Sequence, residues 1–584
     1  MAPLARPSEP PALAPERRCT SIPDVLRWRA MQEPDRVGYR FLADGESRAV
    51  TMTYGDLDRR ARAIASRLRS VGASRRPVLL VYPPGLDFVC AWFGCAYARA
   101  VAVAVRPPQS GLAGGRRFMT ETAAVAGDAC PAVALTTSAI LAGLPADRPE
   151  PLRETRWLAA DTAVDEPPPG AVDEPTVGAD DLAFLQYTSG STSAPKGVMV
   201  THGNLMENLR AIAATFWRSS DGGSVSWLPP YHDMGLIGGI LGPLYVGGPV
   251  TLIPPLAFVQ RPRRWLQAVS QFQAAVSGGP NFAYDLCVRR ISPEHRAGLD
   301  LSGWRVAFNG AEPVNPRTLQ EFTAHFEPVG FTPEAFKPCY GLAEATLLVS
   351  VNARSDPARI QHFHRSDLER NRVAPCHPAA EDARPLASCG QPVATTVIVD
   401  PESLRRCAPG RVGEIWLAGP SIAQGYFHRR DESEQTFGAH LEHGTAHDGP
   451  FLRTGDLGFL LDGELYVTGR LKDLIIIDGA NHYPQDIERT VGTCHPTLAG
   501  GDAAAFSVEV SGAEALVVVA AVRRTDRAGV PEVRRAMQRA VSECHDLRIH
   551  DVVFVERGRI PKTPSGKVRR VACRAAYLAG TLEA

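Results

Sequence analysis

Tyr187-Thr188-Ser189-Gly190-Ser191-Thr192-Ser193-Ala194-Pro195-Lys196-Gly197-Val198 is the stretch whose reading decides the fold. Nine of its twelve residues are Gly, Ala, Pro, Ser or Thr. Such a loop offers backbone N–H groups and hydroxyls to an anion, and Lys196 adds a positive charge. It is not the phosphate loop of NTPases, which needs Gly, four residues, then Gly-Lys-Ser/Thr. Here Gly190 is followed by Ser-Thr-Ser-Ala-Pro-Lys-Gly. A flexible Ser/Gly linker would have the same composition. The flanks argue against that: the apolar run Leu182-Ala183-Phe184-Leu185 precedes the loop, and Val198-Met199-Val200-Thr201-His202 follows at once. The stretch therefore predicts a phosphate-binding turn between two strands.

Working outward, the 584 residues imply several domains or one large multi-lobed enzyme. Lys+Arg and Asp+Glu both number 63, so the net charge is zero. That balance points to neither nucleic acid nor an anionic membrane as partner. Twelve Cys are scattered, the nearest two being Cys90 and Cys95, with no zinc spacing. With no signal peptide and no apolar run of about 18 residues, the expectation is a cytoplasmic protein with free thiols and no membrane span. Residues 1–18, rich in Pro, Ala and Arg, read as a disordered lead.

On the N-terminal side, Pro23–Gln32 and Asp56–Ser70 read as helices, with Thr53 placed to cap the second. Pro77–Tyr82 is a strand, Leu86–Ala98 an apolar helix, and Ala100–Val105 another strand. That alternation argues for a parallel α/β unit. On the C-terminal side, Asn204–Arg218 is a helix, and Val225–Pro230 is a strand ending in Tyr231-His232-Asp233-Met234-Gly235. A lone His is more often a core residue. His232 stands past a strand and before a Gly-rich apolar run, which favours a pocket rim. Strands at Ala274–Ser277, Trp304–Phe308 and from Phe336 each run into a turn: Gly278–Phe282, Asn309-Gly310-Ala311-Glu312-Pro313, and Tyr340-Gly341-Leu342-Ala343-Glu344. Ligands of open α/β sheets sit at such carboxyl ends. Residues 352–385 are polar and poorly periodic; His362, His364 and His377 lack metal-ligand spacing, so the segment reads as an insertion. Thr395–Asp400 and Val412–Ala418 begin a β-rich part. Thr454–Gly458 reads as a turn before a hairpin, Phe459–Val467, with Asp462-Gly463 at its tip. From about Lys472 an α+β domain of usual size follows, ending in Ile560-Pro561-Lys562-Thr563-Pro564-Ser565-Gly566-Lys567.

Taken in order, these motifs resemble the adenylate-forming superfamily of acyl-CoA synthetases, peptide-synthetase adenylation domains and luciferases. Within it, the chain is most similar to the fatty acyl-AMP ligases, over about Ile22 to Arg570. The resemblance implies a large N-terminal α/β domain with a β-rich subdomain over residues 19–471. It implies a small mobile α+β lid over 472–584, hinged at Lys472. It implies ATP and Mg²⁺, a fatty acid substrate and an acyl carrier protein partner.

Residue by residue, the resemblance assigns nucleotide contacts to Thr188, Ser189, Gly190, Ser191, Thr192, Lys196, Asn309, Gly310, Ala311 and Glu312. It also assigns them to Tyr340, Gly341, Leu342, Ala343, Asp456, Arg470 and Lys567. Tyr340 packs on adenine, Asp456 accepts the ribose hydroxyls, and Glu344 reaches Mg²⁺. Lys567 is the catalytic lysine, acting with Glu344 and the loop that starts at Thr188. Tyr231, His232, Asp233, Met234 and Gly235 line the acyl-carboxylate site. Gly238 and Gly239 leave room for an alkyl chain or serve close helix packing. Three features separate the chain from ligases that use free CoA. They are the insertion, Ala343 where many relatives carry Thr, and Asp478–Pro484 where a Gly-Gly-Tyr loop is usual. An acyl-CoA synthetase is the nearest alternative, and an inactive adenylate sensor or scaffold is a different class. Lys567, Glu344 and Asp456 are all present, which speaks against the sensor.

Overall fold

The computed structural model describes residues 19–108, 112–161, 176–188, 195–217, 222–352, 357–442, 449–477, 479–498, 501–510, 513–523, 529–563 and 567–582. The expected disordered lead and Ser189–Ala194 of the phosphate loop lie outside them.

The first sheet has six strands and grows from the run PVLLV. Pro77–Val81 is buried along its whole length because parallel partners flank it on both edges, Val101–Val105 and Val133–Thr136. Leu182–Thr188 joins in parallel beside Val101–Val105, then turns back antiparallel into Lys196–Thr201, with Thr188 opposite Lys196. Thr188 and Lys196, which flank the undescribed part of the stretch, thus face each other at the sheet edge. The helix Tyr54–Ser70 starts as its sequence foretells: Thr53 Oγ1 accepts from Asp56 N at 3.1 Å. Thr201 caps His202–Phe216 in the same way through Asn204 N.

A nine-stranded sheet forms the second layer. Its centre is parallel and includes Ser224–Ser226, Val276–Gly279, Val306–Asn309 and Phe336–Gly341. The carboxyl ends of these strands carry the turns singled out in the sequence. A four-stranded antiparallel sheet, Thr395–Val399, Gly413–Ala418, Leu452–Leu461 and Glu464–Arg470, makes the β-rich part. The C-terminal part has a three-stranded sheet, Ala503–Val510, Ala513–Val522 and Ile549–Glu556. The helices Pro484–Thr493 and Arg570–Leu578 pack on its first strand. Among the described residues no helix is long and apolar enough to cross a membrane.

Three local expectations need correction. Thr454–Gly458 is not a turn but lies inside the ten-residue strand Leu452–Leu461. The ladders to Gly413–Ala418 and Glu464–Arg470 override its local turn character, and the strain is taken up at Gly455, whose φ is +69°. The 352–385 segment is not irregular throughout. Ile360–His364 pairs with Ala383–Ala387, and Phe363 is fully buried against Phe459 and Tyr466. Within the Asp478–Pro484 loop, Ala480–His482 is a short strand paired to Ile475–Ile477.

Candidate active site

One cavity of about 290 Å³ opens where the strand ends of the second sheet meet the C-terminal part. Its polar end is lined by Asp233, Glu344, Arg470, Thr563 and Lys567. The rest of the lining mixes polar side chains such as Gln186 and His232 with apolar ones, Ile212, Phe216, Trp217, Phe308 and Leu347. Motifs from three sheets and the C-terminal part thus share one space.

At the polar end Asp456 is the anchor. Tyr340 donates its hydroxyl to Asp456 Oδ2 at 2.7 Å, and Arg470 Nε donates to Oδ1 at 3.0 Å. The register that places Asp456 opposite Arg470 in the hairpin makes this contact automatic. Asp456 is 5% exposed, and its charge holds the Arg470 guanidinium even more firmly protonated than usual. Tyr340 is raised well above the usual phenol value, first by burial and then by Asp456.

Glu344 sits on a short 3-10 turn, Ala343–Ala345. Thr346, just after it, has φ +69°, a costly backbone for a β-branched residue. Its hydroxyl is held by Ser421 O at 2.6 Å, which fixes the turn. Tyr426 donates to Glu344 Oε1 at 2.9 Å. Burial raises the Glu344 carboxyl above the ordinary range.

Lys567 reaches the cavity from the C-terminal part, on a loop braced by Thr563. Burial lowers its pKa, and Arg470 adds to that; Asp233, Glu312 and Asp456 pull the other way. Burial would raise Asp233, but His232 Nδ1 at 2.6 Å, Met234 N at 2.7 Å and Lys567 outweigh it, leaving Asp233 below the usual carboxylate value. Glu312 is raised by burial, and its Oε1 has no hydrogen-bond partner among the described residues.

Several sequence candidates fall elsewhere. Lys196 is ion-paired with Glu432 and lies 5.1 Å from the Tyr426 ring centre; it does not line the cavity, although Tyr426 links it to Glu344. Thr188 ends its strand beside the cavity residue Tyr187. Ser189, Gly190, Ser191 and Thr192 lie outside the described residues. Asn309 turns into the core and bonds Asn281 at 3.1 Å, whereas Ala311, Tyr340, Gly341, Leu342 and Ala343 line the cavity. Gly310 is a close approach: a Cβ there would stand 2.8 Å from Cys339 Sγ. Lys472 sits on the short turn Leu471–Asp473 between the two parts.

Within the acyl-pocket group, Tyr231, His232, Asp233, Met234 and Gly238 line the cavity. Gly235 and Gly239 do not. A Cβ at Gly235 would lie 2.0 Å from Pro229 O, and one at Gly239 2.5 Å from Ser226 Oγ. They let a π-helix, Met234–Leu241, pack on the neighbouring strand. Sequence reasoning passed over Phe216, Trp217, Phe308 and Leu347, which carry no motif, and Tyr426, whose role appears only through its contact with Glu344.

The profile of AMP-binding enzymes matches residues 26–427. The chain belongs to the AMP-binding enzyme family. A second profile, the AMP domain of Disco-interacting protein 2-like proteins, matches residues 472–584. The medium-chain-fatty-acid–[acyl-carrier-protein] ligase JamA of Moorena producens is 44% identical, covering 97% of this chain and 96% of JamA. FadD21 of Mycobacterium tuberculosis, 38% identical over 96% of this chain and 98% of its own, carries a provisional fatty-acid–CoA ligase name. The structure of a fatty acyl-adenylate ligase from L. pneumophila, in complex with acyl adenylate and pyrophosphate, aligns with a TM-score of 0.76 at 38% identity. That alignment covers 96% of this chain and 97% of the other.

Proposed function

We propose that this enzyme adenylates a fatty acid with ATP and passes the acyl group to the phosphopantetheine thiol of an acyl carrier protein. The observation that carries the reading is the cavity, whose lining joins two cations, Arg470 and Lys567, and two carboxylates, Asp233 and Glu344, to a group of apolar side chains. In the first half-reaction the ionised carboxylate attacks the α-phosphorus of ATP, the bond to the β-phosphate oxygen breaks, and pyrophosphate leaves. No general base is required, because a fatty carboxyl is ionised at neutral pH.

The transition state gathers charge on phosphoryl oxygens, which Lys567 and Arg470 are placed to meet. Asp456 orients Arg470 and would accept the ribose hydroxyls, while Tyr340 flanks the base. Glu344 fits Mg²⁺ chemistry, since it is a half-buried carboxyl lining the cavity, raised by desolvation, that a cation would ionise, and Mg²⁺ takes one or two carboxylates besides phosphates. The ion would neutralise phosphate charge. In the second half-reaction the lid, residues 472–584, turns about Lys472. The thiol sulfur then bonds to the acyl carbon, AMP departs, and the thiol proton passes to solvent. We place the reaction in the cytoplasm, where the free cysteines of the chain stay reduced.

A product assay with dodecanoate, ATP and Mg²⁺ tests this. It is run alone, with CoA, and with holo acyl carrier protein. Acyl-AMP that persists with CoA and is consumed by the carrier supports the reading. Rapid acyl-CoA formation makes the enzyme a CoA synthetase. Lys567→Ala should cut pyrophosphate release by orders of magnitude, and unchanged release would remove Lys567 from the chemistry.

A further inference from the structure

We infer that Trp217 is the floor of the acyl channel and limits the substrate to fatty acids of medium length, about eight carbons. The inference rests on the proposed fatty acid adenylation and adds the substrate class to it. One continuous helical stretch supplies the scale. It starts at Asp233, which lines the cavity together with Lys567 and so marks the reacting end. It runs through the π-helix Met234–Leu241 into the α-helix Gly242–Val246.

Gly238, midway, faces open space: a Cβ there would meet only Leu347 Cδ2, at 3.9 Å. At Gly242 a Cβ would meet Ile237 O at 3.2 Å and the Trp217 ring at 3.5 Å. The indole is thus seated on Gly242. It is 4% exposed and lines the cavity. Its neighbour Phe216 stacks on Phe308 at 5.9 Å, with planes 5° apart, and stiffens that corner.

Most of the stretch from Asp233 to Gly242 is π-helical, and the wider, flatter turn of a π-helix shortens the rise below the α-helical value, so its nine steps span about 10 Å. A zigzag of C–C bonds covers that length in about eight carbons. A longer chain would have to displace a buried indole packed on backbone, which a close-packed wall resists.

The test is the chain-length profile of pyrophosphate release, from hexanoate to hexadecanoate, for the full-length enzyme, Trp217→Ala, Trp217→Leu and Gly238→Val. Each profile is normalised to octanoate in the same variant. The wild type should peak between hexanoate and decanoate. Trp217→Ala should raise the hexadecanoate-to-octanoate ratio of kcat/KM by about tenfold or more, with Trp217→Leu between the two. Gly238→Val should move the optimum to shorter acids, because its side chain enters the middle of the channel. A wild-type optimum at hexadecanoate overturns the inference, as does a Trp217 profile that stays put in whichever variant folds. Release with no acid of any length overturns the fatty acid reading itself, which is a different outcome.

Discussion

Replacing Arg384 with Ala should loosen the lid and turn the enzyme toward free CoA. Arg384 lies on the insertion strand Ala383–Ala387 and binds both neighbours. Its Nε is 2.8 Å from Asp486 Oδ2 on the lid helix Pro484–Thr493, its Nη2 donates to Thr468 O at 3.2 Å, and its guanidinium covers the Tyr483 ring at 4.3 Å. Both charged side chains are nearly buried, 6% and 10% exposed. Removing one partner of such a pair costs about 3–5 kcal/mol, mostly through the charge left behind. Two features reduce that here. The Nε contact is not aligned as a hydrogen bond, and Arg489 Nη2, 3.4 Å from Asp486 Oδ1, still offsets part of the charge. Loss of the ring contact adds about 1 kcal/mol. A net loosening of about 3 kcal/mol corresponds to roughly a hundredfold in the docked-to-undocked ratio. The assay has three readouts: pyrophosphate release, acyl-CoA formation, and limited proteolysis of the Leu471–Asp473 linker. Pyrophosphate release should fall while acyl-CoA formation and linker cleavage rise. A merely destabilised enzyme would lose both activities. A folded variant with wild-type linker cleavage and wild-type CoA turnover would refute the reasoning.

Asp456→Asn should raise the KM for ATP roughly 10- to 100-fold, the worth of a hydrogen bond to a charged group; an unchanged KM would show that Asp456 only braces Tyr340. Gly341→Ala should lower stability by about 2 kcal/mol or more, since its Cβ would stand 1.9 Å from Leu347 O and push out the turn bearing Glu344; calorimetry and pyrophosphate release would both register it. His202 is 1% exposed, and burial lowers its pKa to about 4. The unfolded chain therefore takes up that proton first, near pH 6.5, and stability is lost as pH falls from there to about 4. The loss is about 3 kcal/mol, and His202→Gln should flatten this part of the urea-unfolding profile. A variant as acid-sensitive as the wild type would exclude His202 as the cause.

The polar end of the site was legible because it is written in punctuation. Gly, Pro and Asn mark where parallel strands stop, and strand ends are where such sheets bind ligands. The Asp462-Gly463 tip was legible too, but its register alone would set Asp456 opposite Gly469; the irregularity between Leu457 and Gly458 brings Arg470 opposite instead. The capped helices were equally legible: Thr53 and Asp56 announce their own contact. The same local logic misread Thr454–Gly458, where glycines imitate a turn but two neighbouring strands supply a full ladder.

The apolar end was not legible, and the reason is physical. A residue facing a cavity and one facing the core have the same hydrophobicity and the same helical spacing. Gly238 and Gly239 are adjacent and chemically identical, yet one opens on the channel and the other touches Ser226 Oγ. What separates them is one residue's rotation, about 80° in a π-helix, around an axis whose orientation only the tertiary packing sets. Arg384 makes the same point for charge. In sequence it is one arginine in a polar insertion. Its partners Thr468, Tyr483 and Asp486 lie far along the chain, on either side of the hinge. A contact of that kind joins two bodies that local rules describe one at a time. The geometry that would restrain the lid therefore has to be read from the folded chain, even though each strand end that feeds the site can be read from the sequence.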